Sequence, residues 1–296
     1  MASTFKTGLE VRLAARSGAF AGVTGGLAPS YLQANLIILP QRYADDFRLL
    51  CARNPVPCPL LAESADPGSY DTLISHVRPS GNTQPLAVAA DIDLRKDAPR
   101  YRVYKDGKSP VEDPVDVEAL WRPDHVGFLM GCSYSFDETL VEAGLPPQYV
   151  ELRRSNPIYR TSIPLCPAGV FTGSNYLVSM RPYRAADVER VRELTRPYVI
   201  THGEPIAWGW EALEQLGIQD ITRPEWGEPP LRADGKTLLA KDDDELVPVF
   251  WGCGVTPQEA VMRANIPGTV IGHAPSYMMV LDLQDHEVFP SVAKQV

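Results

Sequence analysis

Two short segments carry the same chemistry-bearing residues at the same spacing: Gly131-Cys132-Ser133-Tyr134-Ser135-Phe136-Asp137-Glu138 and Gly252-Cys253-Gly254-Val255-Thr256-Pro257-Gln258-Glu259. In each, an apolar run comes first (Val126 to Met130; Val247 to Trp251), then Gly-Cys, then a hydroxyl residue with a Glu behind it. The order reads as strand, tight turn and helix start, with Ser135/Glu138 and Thr256/Glu259 as capping boxes and Pro257 suited to a first helical position. Cys132 and Cys253 are therefore expected just ahead of helix N-termini, where unsatisfied N–H groups attract anions and lower a nearby thiol's pKa. The plainer reading of either thiol is a small hydrophobe where a strand turns into a helix.

Arg160, in Tyr159-Arg160-Thr161, and Arg181, in Ser179-Met180-Arg181-Pro182, lie near the ends of strand-like runs. Guanidinium groups pair bidentately with carboxylates, so two of them close in space suit a small acid or diacid. Surface salt bridging is the competing explanation. Of the five histidines, His202 sits beside an apolar run and His273 follows Gly268 to Ile271. Both are candidates for proton exchange near neutrality, against the commoner structural role. Gln33 and Asn35 are amides in an otherwise apolar stretch, suited to orienting a ligand or to internal hydrogen bonding.

The elements that must position these residues follow from periodicity. Residues from Gln41 to Arg53 read as a helix that Asn54-Pro55 ends, and Pro55 to Pro85 as a long surface excursion. Tyr101 to Tyr104 reads as a strand entering a type I′ turn at Asp106-Gly107. From Val126 onward the pattern is strand (126–130), helix (136–143), strand (159–163), strand (176–180), helix (185–195) and strand (199–208), a ferredoxin-like order. The expected fold class is thus α/β, with residues 125–210 as an inserted two-layer domain and 1–124 plus 211–296 as an α/β body. Thr222 to Asp244, crowded with Pro, Gly and acids, reads as a solvated loop.

The 296 residues are 44% hydrophobic, enough to bury a large core. A net charge of −9 and a pI near 5.1 oppose general affinity for nucleic acid or anionic membrane. No apolar stretch is long enough to span a bilayer. The start, Met1 to Phe20, is poor in acids and carries Lys6, Arg12 and Arg16, a composition that some transit peptides share, although Arg12 to Gly18 also reads as helix. Five cysteines without framework spacing suit free thiols in a reducing compartment, the cytoplasm. Neither HxxxH nor CxxC spacing appears, so neither a metal nor another cofactor is expected.

Several blocks together resemble one family. Gly26-Leu27-Ala28-Pro29-Ser30-Tyr31-Leu32-Gln33-Ala34-Asn35-Leu36, Asn54-Pro55-Val56-Pro57-Cys58-Pro59-Leu60-Leu61, Tyr101-Arg102-Val103-Tyr104, Gly131 to Phe136, Tyr159-Arg160-Thr161, Val178 to Pro182 and Trp251 to Gln258 resemble, in order, the signature blocks of the D-glutamate cyclase family. The resemblance covers nearly the whole chain. It implies a three-layer α/β domain with a smaller two-layer domain, and dehydrating ring closure of D-glutamate to 5-oxo-D-proline or, more broadly, hydro-lyase chemistry. Two blocks depart from the family pattern. His273-Ala274-Pro275-Ser276-Tyr277-Met278 has tyrosine where the family has a second histidine, and Ser155 to Ser162 differs from Asn-Val-Pro-Met-Tyr-Arg-Thr-Asn.

The expectation is a cofactor-free lyase that adds or removes water on a small carboxylic or amino acid. Arg160 and Arg181, with Tyr159, would hold carboxylate; Ser133, Ser135 and Thr256 at the helix starts, with Cys132 and Cys253, would stabilise anionic oxygen; His273, Tyr277 or His202 would move protons; Gln33 and Asn35 would orient substrate. The expected partner is the small carboxylate alone, with no nucleic acid and no membrane, and a homo-oligomer stays open. A metal-assisted lyase using the histidines and a cysteine, and a non-catalytic acid-binding protein, are the alternatives.

Overall fold

The computed structural model describes residues 5–78, 84–108 and 113–289. Eleven strands are present among them: β1 Tyr31–Pro40, β2 Leu60–Ser64, β3 Leu73–Ser75, β4 Tyr101–Lys105, β5 His125–Gly131, β6 Ile158–Pro164, β7 Asn175–Arg184, β8 Ala207–Trp208, β9 Leu246–Gly252, β10 Thr269–His273 and β11 Met279–Gln284. The helices are α1 Gly8–Arg16, α2 Ala44–Arg53, α3 Asp137–Glu142, α4 Gln148–Leu152, α5 Val188–Thr195, α6 Ala212–Leu216, α7 Thr256–Ala264 and α8 Asp285–Val288. The α/β class expected from the sequence holds.

Two antiparallel sheets carry the architecture. The larger runs β3-β2-β5-β1-β10-β4, with β11 also on β1, and the smaller runs β6-β7-β9-β8. β1 lies at the centre of the large sheet because almost all of its residues are buried, as an apolar run flanked by strands on both sides requires. Its even-numbered residues Leu32 to Ile38 join a core with Val188, Val191 and Leu194 of α5 and with Val249 and Trp251 of the small sheet. Ile37 and Leu39 face the other core, with Phe47 and Leu50 of α2 and Ala260 and Val261 of α7. The stripe expected on 185–195 is therefore real, and it packs between the sheets.

The sheets do not follow the expected division at 125 and 210. β5 pairs with β1 from Ala34↔Gly131 to Pro40↔His125, so the first strand of the supposed insert belongs to the large sheet. β9, from outside it, completes the small sheet by pairing with β7 from Val178↔Gly252 to Arg184↔Leu246. The reason is burial: every residue of β5 is buried, so the strand needs neighbours on both edges and both faces covered. The run 199–208 is not one strand either; 199–201 form a 3₁₀ turn and only Ala207–Trp208 pair. The excursion after Pro55 contains β2 and β3, the edge of the large sheet. Asp106 and Gly107 have positive φ as the turn requires, but the strand before them pairs with β10. The N-terminal basic residues are built into the body: Arg12 is fully buried and bonded to Asp282, and Arg16 to Asp97.

Candidate functional site

The two Gly-Cys turns meet beneath β1. A Cβ on Gly254 would lie 1.9 Å from Asn35 Nδ2 and 2.9 Å from Gly131 O, and one on Gly131 would lie 1.9 Å from Ile200 O. Only glycine permits the contact at either position. Asn35 ties the junction by donating from Nδ2 to Gly131 O at 2.9 Å. Cys132 N–H donates to Gln33 O, and Ser135 Oγ accepts from Gln33 N–H at 3.0 Å. Cys132, Cys253, Ser133, Ser135, Gln33 and Asn35 are all buried around this junction.

Neither capping box forms. α3 and α7 begin after Phe136 and Val255, with no side-chain cap. Ser135 is spent on β1, and Thr256 Oγ1 donates to Cys253 O at 2.6 Å and accepts from Leu177 N–H at 3.1 Å. Nor are the thiols activated. Burial outweighs the N–H groups of Tyr134 and Val255 that face the sulfurs, so Cys253 is pushed up to about 11 and Cys132 further up. Both are thiols at neutral pH.

Arg181 occupies the centre. Its side chain is fully buried, and Nη2 donates to Ser133 Oγ and Asp137 Oδ1, each at 3.1 Å, and to Tyr149 OH at 3.3 Å. The guanidinium also lies 4.9 Å from the Phe136 ring and 5.0 Å from the Trp251 ring. Tyr149 OH donates to the second oxygen of Asp137. Burial raises the Asp137 carboxyl above its usual range, opposed by the Arg181 charge and the Tyr149 hydroxyl. The cluster is thus a neutral unit of Arg181, Asp137 and Tyr149, and Arg181 is not a free carboxylate receptor.

Tyr149 stacks on Tyr134 with ring centroids 5.2 Å apart, and both rings line a cavity of about 790 Å³ bounded by the loop Val23–Leu27, α4 and Ser276. Arg153 and Arg154 stand on its wall. Arg154 lies 3.4 Å from Glu228, whereas exposed Arg153 makes no ion pair among the described residues. The cavity is within the size range of small-ligand sites, and the Arg181 cluster lies directly behind its tyrosine wall.

The remaining candidates are elsewhere or otherwise engaged. Arg160 binds Glu259 bidentately at 2.9 and 3.1 Å, with Arg263 sharing the same carboxylate, so its fork is already filled. Tyr159 OH donates to Ile221 O at 2.6 Å. Tyr277 lies beneath Arg100, 5.8 Å from ring centre to guanidinium, while its neighbour Ser276 reaches the cavity.

His273 fills the gap along β1 between β10 and β11. Leu36 N–H and Gln258 Nε2 both donate to its Nδ1, at 3.1 and 2.9 Å, which leaves the proton on Nε2. His202 is the reverse: Nδ1 donates to Val56 O at 2.7 Å, so Nε2 carries a lone pair, and it has no partner among the described residues. Burial lowers both histidines to about 4, so both are neutral at pH 7. His202 also holds φ at 90°, a strained value for a non-glycine residue of the kind found at functional sites. Among the described residues no three His, Cys, Asp or Glu side chains gather as metal ligands, and no helix is long and apolar enough to cross a membrane.

Asp137 and Tyr149 escaped the sequence reading. An acid in a first helical turn reads as a dipole partner, and Tyr149 belongs to no pattern; only the fold puts Arg181 between them.

Comparison with known proteins adds the family. The D-glutamate cyclase family profile matches residues 126–282. "Putative hydro-lyase C5H10.01" of Schizosaccharomyces pombe is 40% identical over 275 residues, covering 93% of this chain and 84% of that protein. "Putative hydro-lyase Bpet2233" of Bordetella petrii is 46% identical over 277 residues, 94% of each chain. Among solved structures, a nitrogen repressor-like protein from Methanococcus jannaschii aligns over 92% of this chain and 93% of its own, at 11% identity and a TM-score of 0.35, too distant to carry an argument.

Proposed function

The chain belongs to the D-glutamate cyclase family, and from that premise we propose that it is a hydro-lyase whose substrate, a small carboxylic or amino acid, is held in the cavity in front of the Tyr134–Tyr149 pair. The observation that carries the reading is the buried Arg181–Asp137–Tyr149 cluster behind that cavity. Loss of water requires a proton on the departing oxygen, and the Tyr149 hydroxyl, which lines the cavity, is the proposed donor. Asp137, ionised and paired with Arg181, accepts the Tyr149 hydrogen bond and fixes the direction of the hydroxyl. Arg181, which also donates to Tyr149 OH, offsets the charge that the phenolate acquires after donation.

For glutamate the balance closes internally. The amine nitrogen bonds to the side-chain carboxyl carbon, one carbon–oxygen bond breaks, and the two protons shed by the ammonium leave with that oxygen as water. The protein therefore only shuttles protons. Tyr149 is proposed to give a proton to the departing oxygen and to recover one from the ammonium, whereas His202, 2% exposed and absent from the cavity wall, stays outside the proposed chemistry. Arg153 is the free cation at the rim for a carboxylate. The five free thiols suit the cytoplasm.

The test is a screen of D- and L-glutamate, 2-hydroxy acids and unsaturated diacids for gain or loss of water by mass spectrometry, with Tyr149→Phe as control. The variant should turn over about 10²–10⁴-fold more slowly, the usual contribution of a positioned proton donor. Binding without turnover in the wild type would point instead to an acid-binding protein.

A further inference from the structure

A small recess of about 30 Å³ opens beside the cavity and shares Gly26, Leu27, Tyr134, Val141 and Val150 with it. Gln33, Ser135, Asp137 and Glu138 supply its polar wall, and no lysine, arginine or histidine lines it. Gln33 is 2% exposed, and its Nε2 donates to Thr24 O at 2.9 Å, which fixes the amide so that Oε1 is the end left over. That oxygen has no partner among the described residues. A buried acceptor without a donor is costly, so this oxygen is suited to receive an N–H from a bound group.

We propose that this recess is an ammonium subsite, in which Gln33 Oε1 and Glu138 receive the amino group of an amino-acid substrate whose carboxylates lie toward Arg153 in the main cavity. The inference rests on the lyase reading and on the amino-acid substrate that the family name implies; what it adds is the pair of residues that hold the amino group. The size agrees: the recess leaves about 30 Å³ for the centre of a water-sized group, above the ~10–15 Å³ that holding one requires, and an ammonium head is of that order. So does the charge. Burial and the neighbouring carboxylates of Glu142, Asp285 and Asp137 all push the Glu138 carboxyl up, which marks a negative potential that a cation would relieve. Arg181 offsets Asp137 by pairing with it, so the excess negative charge is that of Glu138, Glu142 and Asp285, none of which pairs with a lysine or arginine among the described residues. The recess is acidic and the rim carries Arg153 and Arg154, the polarity of a zwitterion.

Calorimetric titration of the full chain with D-glutamate, D-2-hydroxyglutarate and glutarate compares an ammonium, a hydroxyl and a hydrogen at one carbon. D-glutamate should bind at least about tenfold more tightly than either analogue, as a charged hydrogen bond implies. Gln33→Met, of similar length but without the acceptor, should erase most of that preference while leaving glutarate affinity unchanged. Glu138→Gln removes a charge from a partly exposed side chain with no ion pair among the described residues and should reduce the preference by about threefold even if Gln33→Met does not fold. Equal affinity for the three ligands in the wild type, or variants that weaken all three alike, overturns the subsite. The outcomes separate from those of the lyase reading: ammonium preference without turnover defeats the lyase and keeps the subsite, and turnover without ammonium preference does the reverse.

Discussion

Replacing Arg181 by Met tests the buried cluster most directly. The substitution keeps much of the side-chain volume among Phe136, Tyr149 and Trp251 but leaves Asp137, whose side chain is 5% exposed, with only the Tyr149 hydroxyl. Removing one member of a buried pair costs about 3–5 kcal/mol, because the survivor is an uncompensated buried charge. With roughly 2.1 cal/mol/K of unfolding entropy per residue, 296 residues give about 1.6 °C per kcal/mol, so the melting temperature should fall by about 5–8 °C at pH 7.

The penalty should depend on pH with a definite sign. Asp137 is already raised in the folded protein, and losing Arg181 raises it further. A folded carboxyl with a raised pKa binds its proton more tightly than the unfolded chain does. The destabilisation is therefore absent at pH values below the unfolded carboxyl's range and grows as pH rises through the folded pKa. Scanning calorimetry of wild type and Arg181→Met between pH 4 and pH 8 reads this out, and Asp137→Leu with Arg181→Met should recover much of the loss, since it removes both charges. A shift of under about 1 °C at pH 7, or one with no pH dependence, would refute the account of Arg181 and Asp137 as a coupled buried pair.

His202→Asn keeps a donor for Val56 O, and since His202 does not line the cavity, turnover should stay within about tenfold of the wild type; a loss of about 10²-fold or more, the size expected for a proton-transfer group, would place it in the mechanism. Because His202 and His273 are depressed to about 4, the wild type should lose stability relative to a double His→Gln variant as pH falls below the ordinary imidazole range near 6.5, levelling off under about pH 4; the same profile in both proteins would contradict their burial as neutral bases. Thiol labelling at pH 7.5, followed by intact mass, should modify exposed Cys166 and spare Cys132 and Cys253; fast labelling of either would show that the helix starts do activate them. Arg160→Ala should reduce stability by about 1–2 kcal/mol through exposure of Glu259 to a lost partner, with substrate affinity unchanged, which a Michaelis constant raised tenfold would contradict.

Much of the local structure was legible in the sequence. The strand-turn pattern at Gly131-Cys132 and Gly252-Cys253 was readable because an apolar run followed by glycine leaves few backbone options, and the stripe on 185–195 because helical spacing repeats Val188, Val191 and Leu194 on one face. Family membership followed from residue identities in order. Partnership was not legible. Nothing local tells β5 to pair with β1 or β9 with β7, since strands of equal apolarity are interchangeable until the whole sheet is assembled. The same holds at the site: Arg160 and Arg181 read alike in sequence, and only the fold gives one a glutamate from α7 and encloses the other with Asp137 and Tyr149. The thiol pKa was misjudged for that reason, because a helix N-terminus is a local feature whereas desolvation is set by everything packed around it. Residue types and short-range spacing decide what chemistry a chain can offer; burial and long-range pairing decide which of those groups are spent on the fold and which, like Oε1 of Gln33, have no partner among the described residues.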